Sequence, residues 1–271
     1  MHVRTRVSLV LFIAVLCALP ASGVSAPVAG AVPAAADTSG TPPQDAAAYI
    51  SEGKSAVAGQ NWTEALIITT KGLAWYPDDP ELLCVQGYAY LKIGQYQRSV
   101  DQVSRAIPLD PRAVRYANRG YGYLALGNYT AALADAESGI AQDAEYSTSY
   151  GVKALALQGM GKNQQALDAI DTALGKAPDS AHYWHVKGRI LASMGDCSGA
   201  TSALEKSLAI DPGYSLPYPS FGSAGRALEQ LRTECPPVSA SPSATTPKAS
   251  AGAVALPGLC LAAALLPGLR R

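Results

Sequence analysis

Three kinds of residue in this chain could carry chemistry. His182 and His185 stand three apart, which places both imidazoles on one face of a helix and could begin a metal site. No further His, Cys or carboxylate completes a ligand set around them, so they read as a surface histidine pair. Five cysteines, Cys17, Cys84, Cys197, Cys235 and Cys260, are scattered without a CxxC or any metal-like Cys/His spacing. Asn61-Trp62-Thr63 and Asn128-Tyr129-Thr130 are N-glycosylation sequons. Asparagine is equally a natural helix N-cap, so both readings of Asn61 and Asn128 stand at this point. No nucleophile–base constellation, phosphate-cradling loop or paired carboxylate accompanies them. The residues point away from an enzyme and call for no cofactor and no metal.

Composition narrows the partner. The 271 residues contain two Phe against fourteen Tyr, so the aromatic packing brings hydroxyls that can reach water or a hydrogen-bond partner. Lys and Arg balance Asp and Glu at 21 each. Within 46–235 there are 16 basic and 19 acidic residues with no basic block, which excludes nucleic acid as the expected partner.

The two ends read as processing and tethering segments. Residues 1–26 have the layout of a secretory signal: Arg4 and Arg6, an apolar run from Val7 to Leu19, then Pro20 and small residues. Cleavage after Gly23 or Ala26 fits the small-x-small pattern, and Pro27 disfavours the second. Residues 27–45 form an Ala/Pro/Gly/Ser-rich leader. Residues 236–253 are a Ser/Thr/Pro-rich stalk, and 254–271 an apolar tail ended by Arg270 and Arg271. The tail is short for a membrane span of about 20 residues. Pro257, Gly258, the apolar run and the arginines resemble archaeosortase-type sorting signals, which imply cleavage and lipid replacement. A GPI-type signal or a simple tail anchor has the same layout. The expectation is an exported protein, tethered to the membrane at the cell surface.

Between these ends lies a repeat. Tyr150, Ala154, Gly161, Ala166, Ala173 and Pro178 recur 34 residues later as Trp184, Gly188, Gly195, Ala200, Ser207 and Pro212. The same register extends over 46–79, 80–112, 113–146, 147–180 and 181–214. It resembles the tetratricopeptide repeat (TPR) family. That resemblance implies an all-α fold: a right-handed TPR superhelix of five helix-turn-helix units. Gly94, Gly127, Gly161 and Gly195 sit where each first helix must end in a left-handed residue. Small residues at unit positions 8 and 20 let the paired helices approach, and proline at position 32 stops the second helix. Two departures stand out. Position 7, usually Leu in the family, is Glu52, Gln86, Arg119, Lys153 and Lys187. Position 24, often Phe, is Thr69, Val103, Ala136, Ile170 and Leu204, which predicts a lighter core in the first three units.

Residues 215–235 supply the C-terminal capping helix a solenoid needs, with Phe221, Ala224, Ala227, Leu228 and Leu231 at helical spacing over 219–232. The cap should pack antiparallel to the second helix of unit five. That brings Cys197 and Cys235 together as a disulfide or leaves two neighbouring thiols. By resemblance, first-helix positions 2, 5, 9, 12 and 13 line a concave groove. The groove residues are then Tyr88, Leu91, Lys92, Tyr121, Leu124, Leu155, Gln158, His182, His185 and Arg189. The carboxylate clamp of chaperone-binding members is matched only at Asn118, which excludes that specificity. The functional expectation is a non-catalytic scaffold that binds a protein or peptide in the groove. The alternatives are a spacer acting through its convex face and a carbohydrate- or metal-handling accessory protein.

Overall fold

The computed structural model describes residues 40–214 and 223–235. The expected signal, the leader up to residue 39, the stalk, the apolar tail, Phe221, Cys17 and Cys260 lie outside the described residues.

The regular structure described is helical. Five antiparallel pairs follow one another: α1 (Ala46–Ala58) with α2 (Trp62–Trp75), α3 (Pro80–Lys92) with α4 (Tyr96–Ala106), α5 (Ala113–Ala125) with α6 (Tyr129–Gln142), α7 (Ser147–Gly159) with α8 (Asn163–Lys176), and α9 (Ala181–Ser193) with α10 (Cys197–Ile210). A last helix, α11 (Ala224–Glu234), closes the array. Each helix packs on its pair partner and on the next unit, and successive first helices also touch. This is a quasi-one-dimensional stack, in which each unit buries its apolar faces against its neighbours. None of the described helices is long and apolar enough to cross a membrane.

Local chemistry sets the turns. Gly94, Gly127, Gly161 and Gly195 hold φ of 80°, 75°, 75° and 79°. The first unit has Gln60 at the equivalent place, at φ 57°, where a Cβ is strained by about 1 kcal/mol. Three of the five second helices, α2, α6 and α10, then start on capping side chains. Asn61, Asn128 and Asp196 accept hydrogen bonds from the backbone N–H of Glu64, Ala131 and Gly199. Both sequon asparagines are therefore N-caps, and both are exposed.

Inside the pairs, close approach depends on missing side-chain atoms. A Cβ on Gly188 would sit 2.7 Å from Leu204 Cγ and 3.2 Å from the Ala200 carbonyl oxygen. The position-24 residues Thr69, Val103, Ala136, Ile170 and Leu204 are all buried. Thr69 is satisfied by donating its hydroxyl to the Ala65 carbonyl at 2.7 Å. One continuous core runs from Ala117 to Ile190, and a second joins α9, α10 and α11.

Four of the five polar residues at position 7 find partners on second helices, while Glu52 accepts from Gln44 Nε2 at 3.0 Å. Arg119 forks onto Asp135 at 2.9 and 2.6 Å, Lys153 pairs with Glu137 at 3.4 Å, and Lys187 with Asp171 at 2.8 Å. Gln86 donates to the Thr70 hydroxyl at 3.0 Å. Arg115, only 1% exposed, is held by Asp110 at 2.7 Å and Glu81 at 2.9 Å. Burying a guanidinium is tolerable only with such partners.

Helix α11 begins at Ala224, where Ser223 caps it by accepting from the Arg226 N–H at 3.2 Å. Ala224, Leu228 and Leu231 bury against Leu191, Ala200, Ala203 and Leu204. Cys197 and Cys235 are joined by a disulfide, with their Cα atoms 6.0 Å apart. Cys84 is a free, buried thiol that accepts from Asn118 Nδ2 at 3.5 Å, and burial raises its pKa.

Candidate partner-binding groove

The wall formed by α3, α5, α7 and α9 carries the residues assigned to the groove. The structure sorts them into two layers. Tyr88, Lys92, Tyr121, Gln158, His182 and Arg189 are half-buried and retain surface. Leu91, Leu124, Leu155 and His185 are buried. These four are corrections to the sequence-based assignment. Successive first helices pack directly on one another, so their apolar contact residues become the floor beneath the groove.

At the N-terminal end, Trp62 and Tyr88 meet edge-on with ring centroids 6.2 Å apart. Lys92 places its Nζ 5.8 Å from the Trp62 ring and 5.2 Å from the Tyr88 ring, a double cation–π arrangement. Lys92 also ends α3, where a cation complements the helix dipole. Trp62 was missed because it opens a second helix, while the family's groove positions name first-helix residues.

Toward the C-terminal end the wall becomes a hydrogen-bonded aromatic cluster. Tyr121 Oη lies 3.2 Å from His182 Nε2, and Tyr214 Oη lies 2.7 Å from His182 Nδ1. A neutral imidazole donates from one nitrogen and accepts at the other. One of these tyrosines therefore donates to the ring and the other accepts from it. Tyr183 donates to Ser147 Oγ at 3.1 Å, and its ring packs where a Cβ on Gly151 would come within 2.9 Å. Burial raises the Tyr121 pKa well above its ordinary value and raises those of Tyr146 and Tyr214. These phenols stay protonated. Tyr146 and Tyr214 occupy the last position of units three and five, a recurrence readable in the sequence that the groove positions did not include.

The histidines differ from the expected surface pair. His185 is 0% exposed, packs edge-on to Tyr214 at 5.9 Å, and among the described residues has no hydrogen-bond partner at either ring nitrogen. Burial lowers its pKa to about 4, with nearby Arg189 as the lesser cause. Burial likewise lowers the His182 pKa to about 4, aided by His185 and Lys92. Tyr214, which follows the last repeat helix, packs over the His185 ring and contributes to this burial. Arg189 is itself desolvated, which lowers its pKa to about 10. Beside it, Gln158 Nε2 donates to Ser193 Oγ at 3.3 Å. Among the described residues, no three His, Cys, Asp or Glu side chains gather as metal ligands.

The opposite side holds a cleft of about 550 Å³ between α6, α7 and α8. Leu133, Tyr150 and Leu157 line it together with Glu137, Lys153, Lys162 and Asp168.

Comparison with known proteins agrees with this architecture. Residues 152–215 match the tetratricopeptide repeat family. The chain is 32% identical over 102 residues to small glutamine-rich tetratricopeptide repeat-containing protein 2 of Saccharomyces cerevisiae, covering 37% of this chain and 30% of that protein. It is 31% identical over 65 residues to protein FlbA of Caulobacter vibrioides, covering 24% of this chain and 11% of that one. The chain thus spans less than a third of the length of these curated relatives. Among solved structures, a tetratricopeptide repeat protein from Parabacteroides merdae superposes with a TM-score of 0.58 at 15% identity, over 71% of this chain and 73% of that one. A thermophilic TPR protein of Thermus thermophilus gives 0.57 at 20% identity, over 62% and 92%. At these identities the likeness concerns the fold. The described helix pairs form a tetratricopeptide-repeat solenoid.

Proposed function

We propose that this chain is an exported, surface-tethered scaffold, non-catalytic in itself, that recognises a protein or peptide segment along the wall of its first helices. The observation that carries this reading is a wall with two half-buried aromatic groups, Trp62 with Tyr88 and Tyr121 with His182 and Tyr214. Tyr and Trp present large contact area with a polar tip, which suits them as interface anchors. TPR solenoids serve as protein-interaction scaffolds, which supports the same reading. Tyr88, Lys92, Tyr121, Gln158, His182 and Arg189 would touch the partner, with Leu91, Leu124, Leu155 and His185 supporting them from below.

The apolar run from Val7 to Leu19 and the stalk and tail over 236–271 support export and membrane tethering. Disulfide-bonded Cys197 and Cys235 fit an oxidising exterior. The exposed sequons Asn61 and Asn128 are available for glycosylation there. The test is capture of the native partner from membranes by the full chain and by a Tyr88→Ala/Tyr121→Ala variant. Loss of capture is expected, and undiminished capture overturns the groove assignment. That second result would favour a spacer acting through the opposite face, where the cleft beside Tyr150 and Lys153 offers the alternative contact.

A further inference from the structure

Charge is divided unevenly between the two rows of helices. The first helices α3, α5, α7 and α9 together hold six Lys and Arg and one acid, Glu81. Four of those cations are matched by carboxylates: Arg115 by Glu81 and Asp110, Arg119 by Asp135, Lys153 by Glu137, and Lys187 by Asp171. Glu81 is held by Lys54 at 2.6 Å as well as by Arg115, so it contributes no surplus negative charge. Lys92, also on the groove wall, lies in the second unit. Lys92 rests on the Trp62 and Tyr88 rings, and among the described residues no carboxylate pairs with it. Its ammonium is half-buried, with N–H donors left to direct toward a ligand.

We propose that the groove takes an acidic segment of its protein partner, with a carboxylate side chain docking on Lys92 between the apolar walls of Trp62 and Tyr88. This rests on the groove reading above and deepens it. A basic segment would be repelled along this wall. A neutral one would cover the ammonium without replacing the water it loses, which costs affinity. A carboxylate restores the lost hydrogen bonds as charge-assisted ones. A single uncompensated ammonium does not match the closely spaced phosphates of a nucleic acid.

The test uses the full chain and fluorescein-labelled twelve-residue peptides of repeating Glu-Ala-Tyr, with Gln-Ala-Tyr as the uncharged control. A twelve-nucleotide single-stranded DNA is the third probe. Fluorescence anisotropy at low salt should show the Glu peptide binding about tenfold more tightly than the Gln peptide, the scale of one charge-assisted contact. That advantage should vanish in Lys92→Gln, persist in Lys206→Gln on an exposed second-helix position, and shrink in 0.5 M salt. Lys92→Gln keeps the stem over the rings, and an unchanged thermal melt separates charge loss from unfolding. Equal binding of the two peptides, an undiminished preference in Lys92→Gln, or tighter binding of the DNA overturns the proposal. If the Glu and Gln peptides bind equally and Tyr88→Ala weakens both, the groove stands and the acidic preference falls. If neither peptide binds, the acidic preference also falls, and the native-capture experiment decides separately on the groove.

Discussion

Acidification should destabilise this solenoid through a single buried ring. His185 has an ordinary pKa of 6.5 when exposed and about 4 in the folded chain. Between those values the unfolded chain binds a proton that the folded chain refuses. The stabilisation from a neutral His185 is therefore complete above pH 6.5 and is lost progressively as the pH falls toward 4. At pH 5 an unfolded histidine is almost fully protonated and the folded one is not, which amounts to about 2 kcal/mol. His182 shifts in the same direction, but it keeps some surface and its shift depends partly on its neighbour, so it adds less than a second full share. His185→Gln should remove most of the effect, since among the described residues neither ring nitrogen has a hydrogen bond to lose. Urea unfolding of both proteins at pH 7.5 and pH 5 measures the difference. The wild type should lose about 2 kcal/mol more than the variant over that interval. The chain has three histidines, of which His2 lies in the expected signal segment, so proton NMR resolves His182 and His185 directly. A His185 signal titrating near 6.5, or equal acid losses in both proteins, would refute the reasoning.

Two further perturbations test the packing. Gly188→Ala drives a methyl to within 2.7 Å of Leu204 Cγ, at the centre of that side chain rather than its flexible end. It should cost about 1–3 kcal/mol by thermal or chemical unfolding, and a neutral result would show that α9 and α10 can separate freely. Replacing Cys197 and Cys235 by serine opens a closure 38 residues apart in sequence. In the chain-entropy view this should cost up to about 4 kcal/mol, and hydrogen exchange should localise the loss to α11 and its contact with α10. Unchanged exchange in α11 would mean that Ala224, Leu228 and Leu231 hold the cap unaided.

The helical frame was legible because its determinants are local. A left-handed glycine such as Gly161, a capping Asn128 and a close-packed Gly188 each act within one unit, so a period of 34 exposes them together. The layering of the groove was less legible because it depends on contacts between units. Leu124 shares a face with Tyr121 on a helical wheel, and Leu155 holds the repeat position of Tyr121 in the next unit, yet the leucines are buried and the tyrosine is half-exposed. His185 is buried in part by Tyr214, which packs against it from the end of the fifth unit.

The position-7 charges show that part of the remainder was readable after all. Read as isolated departures from a Leu position, Arg119, Lys153 and Lys187 look like defects of a weakened core. Their partners Asp135, Glu137 and Asp171 each lie 16 residues away, and so does the uncharged pair Gln86 and Thr70. A fixed offset of 16 between opposite charges is the distance from a first helix to a second helix across the stack. The pairing could have been proposed before any coordinates. Lys92 stands at repeat position 13, on another face of its helix, where the offset does not operate, and among the described residues no carboxylate pairs with it. It is the residue on which the acidic partner segment is expected to dock.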